Sequence, residues 1–205
     1  MPSKAIETWN ERYAREGYVF GTSPNEFLRR ETHRLTPGQS VLAVADGEGR
    51  NSVWLAKNGL RVDAVDGSSV AIEKARRLAG MEGVSVTFEE ADIETWAWPV
   101  SSYDAVVAIF IQFAGPGLRA HIFDGMKQAL KPGGLLLLEG YRPEQIAYGT
   151  GGPRIAENLY DEQMLRRAFG EFEFLHLASY DADIHEGEGH SGRSALIDLV
   201  ARKPI

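Results

Sequence analysis

The chain has 205 residues, of which 43% are hydrophobic and 25% are charged. These fractions are typical of a soluble globular protein long enough to enclose one hydrophobic core. The net charge of −7 argues against a protein that grips the phosphate backbone of a nucleic acid. The absence of cysteine excludes disulfides, thiolate metal sites and a cysteine nucleophile.

Neither a secretory signal nor a membrane span is visible in the sequence. The first residues carry no apolar run of the signal-peptide type. No stretch approaches the roughly 18 consecutive apolar residues that a spanning helix needs. The sequence therefore predicts a cytoplasmic protein with no membrane partner.

Residues 1–38 predict a cap of helices. An aromatic helix contains Trp9 and Tyr13, a loop follows at 18–25, and a second helix is expected at 26–35. This segment precedes the regular alternation that begins near residue 41.

From residue 41 onward, short aliphatic segments alternate with helical ones. Strands are predicted at 41–45, 61–66, 84–88, 103–110 and 135–139, and helices at 50–58, 70–80 and 118–130. This alternation is typical of a parallel sheet with right-handed crossovers and helices on both faces. The expected fold is a doubly wound, Rossmann-like α/β fold.

The last third of the chain departs from this alternation. Residues 173–180 and 194–201 predict two strands around a polar loop, with no helix between them. Such strands are expected to pair antiparallel at the edge of the sheet. The predicted organisation is one domain over 1–205, with the cap at 1–38 and the core at 39–205.

A glycine-containing turn follows the first predicted strand. The segment 42–51, LAVADGEGRN, passes through Gly47 and Gly49 into a predicted helix. In a doubly wound sheet this turn faces the crevice where ligands bind. Glycine allows a ligand to approach the backbone, and the helix N-terminus favours an anionic group. A tight turn without a ligand is the alternative interpretation.

Carboxylates follow the next two predicted strands. Asp66 ends the second strand roughly twenty residues after the glycine turn, where a carboxylate can bind ribose hydroxyls. Asp92 follows the third strand and can accept a hydrogen bond from an adenine amino group, while Ile93 offers an apolar face. A helix N-cap and a surface turn are the respective alternatives. Three such features at successive strand ends favour a nucleoside ligand.

These segments resemble the class I S-adenosylmethionine-dependent methyltransferases. The resemblance covers the glycine turn, Asp66, Asp92, the LKPGG run at 130–134 and the terminal antiparallel pair. WNERY at 9–13 and FGTSPNEFL at 20–28 are similar to the cap of bacterial tellurite-resistance and thiopurine-type methyltransferases. The resemblance implies a sheet of seven mostly parallel strands with an antiparallel C-terminal hairpin, a helical lid, and S-adenosylmethionine as cofactor.

The resemblance also implies a set of cofactor-binding residues. They are Tyr13, Gly21, Ala45, Asp46, Gly47, Gly49, Asn51, Asp66, Gly67, Ser68, Asp92, Ile93 and Phe110. The family's motif opens with an acidic residue and a glycine where this chain has Ala43 and Ala45. We hypothesise that Asp46 supplies the missing carboxylate. The departure leaves open a non-catalytic relative that only binds the cofactor.

Methyl transfer from a sulfonium requires alignment and exclusion of water but no protonation of the leaving group. His190 is a candidate base near neutral pH, and Arg142 is a candidate partner for an anionic acceptor. A hydrogen-bonded loop histidine and a solvated arginine are the alternatives. No metal site is expected, because the His and Glu residues at 185–190 fit no ligand spacing.

A small-molecule methyl acceptor is expected. No cysteine is available for attack on a pyrimidine, and IFIQF stands at 109–113 where amino-methylating enzymes of adenine or glutamine carry an Asn-Pro-Pro-Tyr type motif. A tellurite, thiol or thiopurine acceptor follows from the resemblance alone. An NAD-dependent oxidoreductase is a further alternative, since it also uses a glycine turn and a strand-end acid. A homodimer is left open.

Overall fold

The computed structural model describes residues 3–205. Its strands are β1 Ser40–Val44, β2 Arg61–Asp66, β3 Thr87–Glu90, β4 Tyr103–Ile109, β5 Leu130–Tyr141, β6 Glu173–Glu186 and β7 His190–Arg202. They form one seven-stranded sheet in the order β3-β2-β1-β4-β5-β7-β6. β1 pairs parallel with β2, β2 with β3 and β4 with β5, whereas β5 and β7 are antiparallel. The predicted α/β fold with a C-terminal hairpin is confirmed.

The helices are α1 Lys4–Tyr13, α2 Glu26–Glu31, α3 Arg50–Lys57, α4 Ser69–Glu82, α5 Pro116–Ala129, α6 Gln145–Tyr148 and α7 Glu162–Ala168. Four of them begin at a side-chain cap that accepts a first-turn N–H. These caps are Ser3, Asn25, Ser68 and Asp161. Among residues 3–205, no helix combines the length and the apolar character that crossing a bilayer requires.

The structure corrects several predicted boundaries. The third strand lies at Thr87–Glu90 rather than 84–88, because α4 continues to Glu82 and ends at Gly83 in the left-handed conformation. β5 begins at Leu130, so the KPGG segment lies inside the strand. The second helix of the cap ends at Glu31, and a separate 3-10 turn covers Thr32–Arg34.

The hairpin and the segment before it also differ from expectation. β6 and β7 are longer than predicted and are joined by a turn at residues 187–189, where a polar loop is expected. From residue 178 to residue 186 the outer strand β6 alternates between half-buried and exposed residues, so it accommodates polar side chains. Helices α6 and α7 are not predicted, because they are short and contain few apolar residues.

Two compact units make up the described chain. The first contains the residues up to Ala97 together with Glu186–Gly189, and the second contains Trp98–His185 and His190–Ile205. In the first unit Tyr13, Val19 and Ala71 form one of the buried clusters. In the second, β4, β5 and β7 carry long runs of buried aliphatic residues. The single domain expected over 1–205 stays a prediction.

Candidate functional site

The segment between β1 and α3 has an unusual backbone. Ala45, Gly47 and Gly49 have φ angles of 48°, 63° and 90°. At Gly49 an added Cβ would lie 2.7 Å from the Cβ of Ala75, so glycine is required there. Ala45 adopts the left-handed conformation despite its Cβ, a strain that proteins often retain at functional sites. The segment therefore keeps the shape of a glycine turn although the family's glycine is an alanine.

Asp66, at the end of β2, is held against this turn. Its Oδ2 accepts the N–H of Gly47 at 2.8 Å, and its Oδ1 accepts the N–H of Ser68 at 2.8 Å. Burial raises the pKa of Asp66, and these two N–H groups oppose that shift. Each oxygen retains a second lone pair, so the carboxylate can still accept from a ribose hydroxyl. The side-chain cap of α4 is Ser68, not Asp66.

Asp46 is bonded to the first turn of α3. Its carboxylate accepts from the hydroxyl of Ser52 at 2.5 Å and from the N–H of Ser52 at 3.3 Å. Desolvation raises the pKa of Asp46 to about 7; the bond from the Ser52 hydroxyl opposes this shift, and the charge of Asp66 adds to it. Two interacting carboxylates thus lie at the glycine turn. The hypothesis that Asp46 replaces the family's acidic residue stays a prediction.

Tyr13 places a hydroxyl over the turn. A Cβ built on Gly47 would lie 2.8 Å from the hydroxyl oxygen of Tyr13. The ring stacks on Trp9 at 5.4 Å and meets Phe20 edge-on at 6.2 Å. Burial, reinforced by nearby carboxylates including Asp66, raises the pKa of Tyr13 well above its ordinary value. The hydroxyl therefore stays protonated and can donate a hydrogen bond.

Asp92 and Ile93 follow β3, beside Asp66. The N–H of Ala91 donates to the carbonyl of Asp66 at 3.0 Å, which holds the two segments together. The carboxylate of Asp92 accepts the N–H of Glu94 at 3.1 Å, as in an Asx turn. Ile93 is buried. The structure thus brings Asp92 near Asp66 and also gives it a local role in the turn.

Four other predicted residues make structural contacts within the first unit. Gly21 lies beside Gly187, and a Cβ on Gly67 would lie 3.0 Å from Ile6. The side-chain oxygen of Asn51 accepts the N–H of Asn25 at 2.9 Å. The hydroxyl of Ser68 lies 2.6 Å from Asn10 Oδ1 and accepts the N–H of Ala71 at 3.1 Å. These contacts attach the cap, and roles toward a cofactor stay predictions.

A buried ion pair that no motif reveals also orders the cap. Glu48 lies 2.8 Å from the ammonium of Lys74 and accepts the N–H of Val19 at 2.7 Å. Lys74 also donates to the carbonyls of Arg15 at 2.8 Å and Gly17 at 2.6 Å. One signal exists in the sequence: Lys74 occupies a position on the otherwise apolar face of α4.

The second unit contains an aromatic cluster at the end of β4. Phe110 has a φ of 54° and stacks on Tyr141 at 4.6 Å and on His190 at 4.4 Å. The hydroxyl of Tyr141 is hydrogen-bonded to Nδ1 of His190 at 2.5 Å. The amide of Gln112 bonds both backbone groups of Tyr141. Two predicted site residues, Phe110 and His190, therefore lie in contact.

Arg142 is engaged by the hairpin rather than solvated. Its Nε donates to the carbonyl of Leu196 at 3.1 Å, and its Nη2 bonds the carbonyl of Tyr180 and the carboxylate of Asp181. The side chain is only 18% exposed. These bonds position the hairpin, and a contact of Arg142 with an acceptor stays a prediction.

Comparison with known proteins finds a methyltransferase domain in this chain. Residues 41–134, which include the glycine turn, Asp66 and Asp92, match the family model described as "Methyltransferase domain". The chain is 32% identical over 131 residues to the S-adenosyl-L-methionine-dependent Diels-Alderase iccD of Talaromyces variabilis, covering 61% of this chain and 44% of that protein. It is 30% identical over 164 residues to the ribosomal protein L11 methyltransferase of Thermus thermophilus, covering 75% and 62%.

Solved structures share the fold of this chain. TehB from Haemophilus influenzae superimposes with a TM-score of 0.72 at 19% identity, over 98% of this chain and 67% of that chain. This likeness concerns architecture alone. The chain spans about half the length of the curated relatives it matches. The antiparallel strand β7 lies outside the residues that the family model matches. Residues 41–134 therefore match a methyltransferase domain, and the fold that contains them is that of the class I, S-adenosylmethionine-dependent methyltransferases.

Proposed function

We propose that this protein transfers the methyl group of S-adenosylmethionine to a small-molecule acceptor. The observation that carries the proposal is the contact between Asp66 and Gly47, which sets a strand-end carboxylate against the glycine turn. That arrangement suits the ribose of a nucleoside. The family match over the same residues supports it.

The residues of the first unit fit this cofactor. Asp66 offers acceptor lone pairs for the ribose, and Asp92 with Ile93 offers a carboxylate and an apolar surface for the adenine. Gly47 and Gly49 let the backbone approach the amino-acid end. When bound, the cofactor supplies a methyl group activated by a sulfonium. Phe110 is proposed as a further contact.

His190 is the proposed base for an acceptor that must lose a proton. Its ring is held by the Tyr141 hydroxyl and by stacking on Phe110, so its orientation is restricted. Restricted orientation favours proton transfer to a defined atom. Tyr141, 1% exposed, is then a positioning residue.

The acceptor class rests on the family resemblance and on composition. A tellurite-type oxyanion, a thiol or a thiopurine is proposed, and the net charge of −7 disfavours a nucleic acid. The cap at 1–38 is proposed to exclude water from the acceptor. A cytoplasmic location and a homodimer stay predictions from the sequence.

Calorimetric titration with S-adenosylmethionine, S-adenosylhomocysteine and NAD tests the proposal. We expect micromolar binding of the two sulfur compounds and none of NAD. Asp66→Ala is expected to weaken that binding about 10- to 100-fold, because it removes charge-assisted hydrogen bonds. Asp63→Asn, on the same strand, is the matched control. Binding of NAD in place of the sulfur compounds would contradict the proposal.

A second candidate is a protein that binds the cofactor without transferring its methyl group. Ala43, in place of the family's acidic residue, favours it, and one relative is named a Diels-Alderase. Incubation with tellurite, selenite, thiols and thiopurines distinguishes the two. Methyl transfer releases S-adenosylhomocysteine in proportion to acceptor. Tight cofactor binding with no such release on any acceptor would favour the second candidate.

A further inference from the structure

Arg50, the first residue of α3, holds a guanidinium that is only partly satisfied. The residue is 7% exposed, and its Nη2 lies 2.7 Å from Oε2 of Glu186. Its Nη1 is buried and has no hydrogen-bond partner among residues 3–205. Buried polar atoms are normally paired, because an unpaired one loses its bonds to water without replacement. An unpaired donor at a ligand-binding turn therefore points to a ligand group that accepts from it.

The carboxylate of Glu186 cannot reorient to accept from both Nη1 and Nη2 of Arg50, because other donors hold it. Its carboxylate also accepts from the side-chain amide of Asn25 at 3.1 Å and from the N–H of Glu26 at 3.1 Å. The backbone of the neighbouring Gly187 packs against Gly21. A Cβ added to Gly187 would lie 2.5 Å from the backbone nitrogen of Gly21. The carboxylate is thereby fixed, and it orients the guanidinium of Arg50.

The charges around Arg50 define the group that fits. The carboxylate of Glu186 pairs with one side of the guanidinium, and the charges of Glu48 and Lys74 neutralise each other. Asp46, which interacts electrostatically with Arg50, is bonded to Ser52 instead. Nη1 therefore offers a charged donor at the start of a helix, where the backbone dipole also favours an anion.

We propose that Nη1 of Arg50 binds a carboxylate or oxyanion of a bound ligand. This inference rests on the proposed function. Within that function, the anionic group that binds Arg50 has two candidate sources, the cofactor and the methyl acceptor. The amino-acid end of the cofactor carries a carboxylate for Arg50 and an ammonium for the nearby Asp46. An anionic acceptor has a negatively charged group for Arg50 but no ammonium.

Arg50→Lys tests the assignment. A lysine keeps the positive charge for Glu186 but lacks the second nitrogen of the guanidinium fork. Affinities are measured by calorimetry for S-adenosylhomocysteine and for 5′-methylthioadenosine, which lacks the amino-acid end. Sodium sulfate, titrated into protein saturated with S-adenosylhomocysteine, is the probe for an acceptor oxyanion. Arg77→Lys, at an exposed ion pair of α4, is the matched control.

Two results support the inference and separate its sources. S-adenosylhomocysteine binding that falls about tenfold or more, with unchanged 5′-methylthioadenosine binding, assigns the site to the cofactor carboxylate. Unchanged S-adenosylhomocysteine binding with loss of sulfate binding assigns it to an anionic acceptor.

Other results overturn it. No change in any affinity, or an equal loss for S-adenosylhomocysteine and 5′-methylthioadenosine, would show that Arg50 only supports the fold. If Arg50→Lys does not fold, the double variant Arg50→Gln/Glu186→Gln removes both charges together and is titrated in the same way. A wild-type protein that binds neither sulfur compound contradicts the proposed function itself, whereas wild-type binding with unaffected variants contradicts this inference alone.

Discussion

Asp46 and Asp66 bring two carboxylates with raised pKa values to one turn. For Asp46 the pKa is about 7 in the folded protein, against an ordinary value of 3.8. Between these values the folded protein retains a proton that the unfolded chain has released. The free energy of unfolding therefore falls as pH rises through this window, and the fall ends near pH 7.

Asp46→Asn is expected to remove most of this pH dependence. On going from pH 5 to pH 8, the variant should gain on the order of 1–3 kcal/mol relative to wild type, because its amide does not ionise. Urea unfolding at four pH values measures the effect. Asp124→Asn, at an exposed carboxylate of α5, serves as control. Parallel pH profiles for Asp46→Asn and wild type would show that ionisation of Asp46 does not cause the pH dependence of the free energy of unfolding.

At the scale of elements, the Glu48–Lys74 pair attaches the segment 15–19 to α4 and to the glycine turn. Lys74→Met leaves Glu48 buried without its partner and removes two donors to backbone carbonyls. We expect a loss of about 3–5 kcal/mol in the free energy of unfolding. Chemical denaturation measures it.

The double variant Glu48→Gln/Lys74→Met is the companion measurement. Because it removes both charges, it should be more stable than Lys74→Met alone. If the losses in the free energy of unfolding caused by Glu48→Gln and by Lys74→Met were strictly additive in the double variant, the two charges would not interact. Arg77→Met, in the exposed pair with Glu73, should cost less than about 1 kcal/mol.

The prediction of elements succeeds where local patterns decide and fails where they do not. β1, β2 and α3 follow from aliphatic runs and glycines, whereas α4 continues two residues beyond its predicted end. The short helices α6 and α7 have too few apolar positions to show the helical periodicity of hydrophobic residues. The full length of β6 and β7 depends on pairing across the hairpin, which lets polar residues occupy an edge strand.

For the whole molecule, cofactor binding should raise thermal stability. A ligand at about 100 times its dissociation constant stabilises the folded state by roughly 2.7 kcal/mol, which corresponds to a rise in Tm of about 5–10 °C for a chain of this size. Differential scanning calorimetry with S-adenosylhomocysteine measures the shift, with NAD as control. An unchanged Tm at concentrations that saturate the calorimetric titration would contradict specific binding to the folded state.

The amino-acid sequence alone predicts the alternation of strands and helices, the glycine turn and the carboxylates Asp66 and Asp92. These are local features, set by periodicity, turn chemistry and the ends of parallel strands. Which distant side chains contact each other depends on how the elements pack in three dimensions. Asn25 and Glu186, 161 residues apart, share a hydrogen bond, and the same carboxylate fixes Arg50. Contacts of this kind arise from packing between elements, and no local pattern in the chain encodes them.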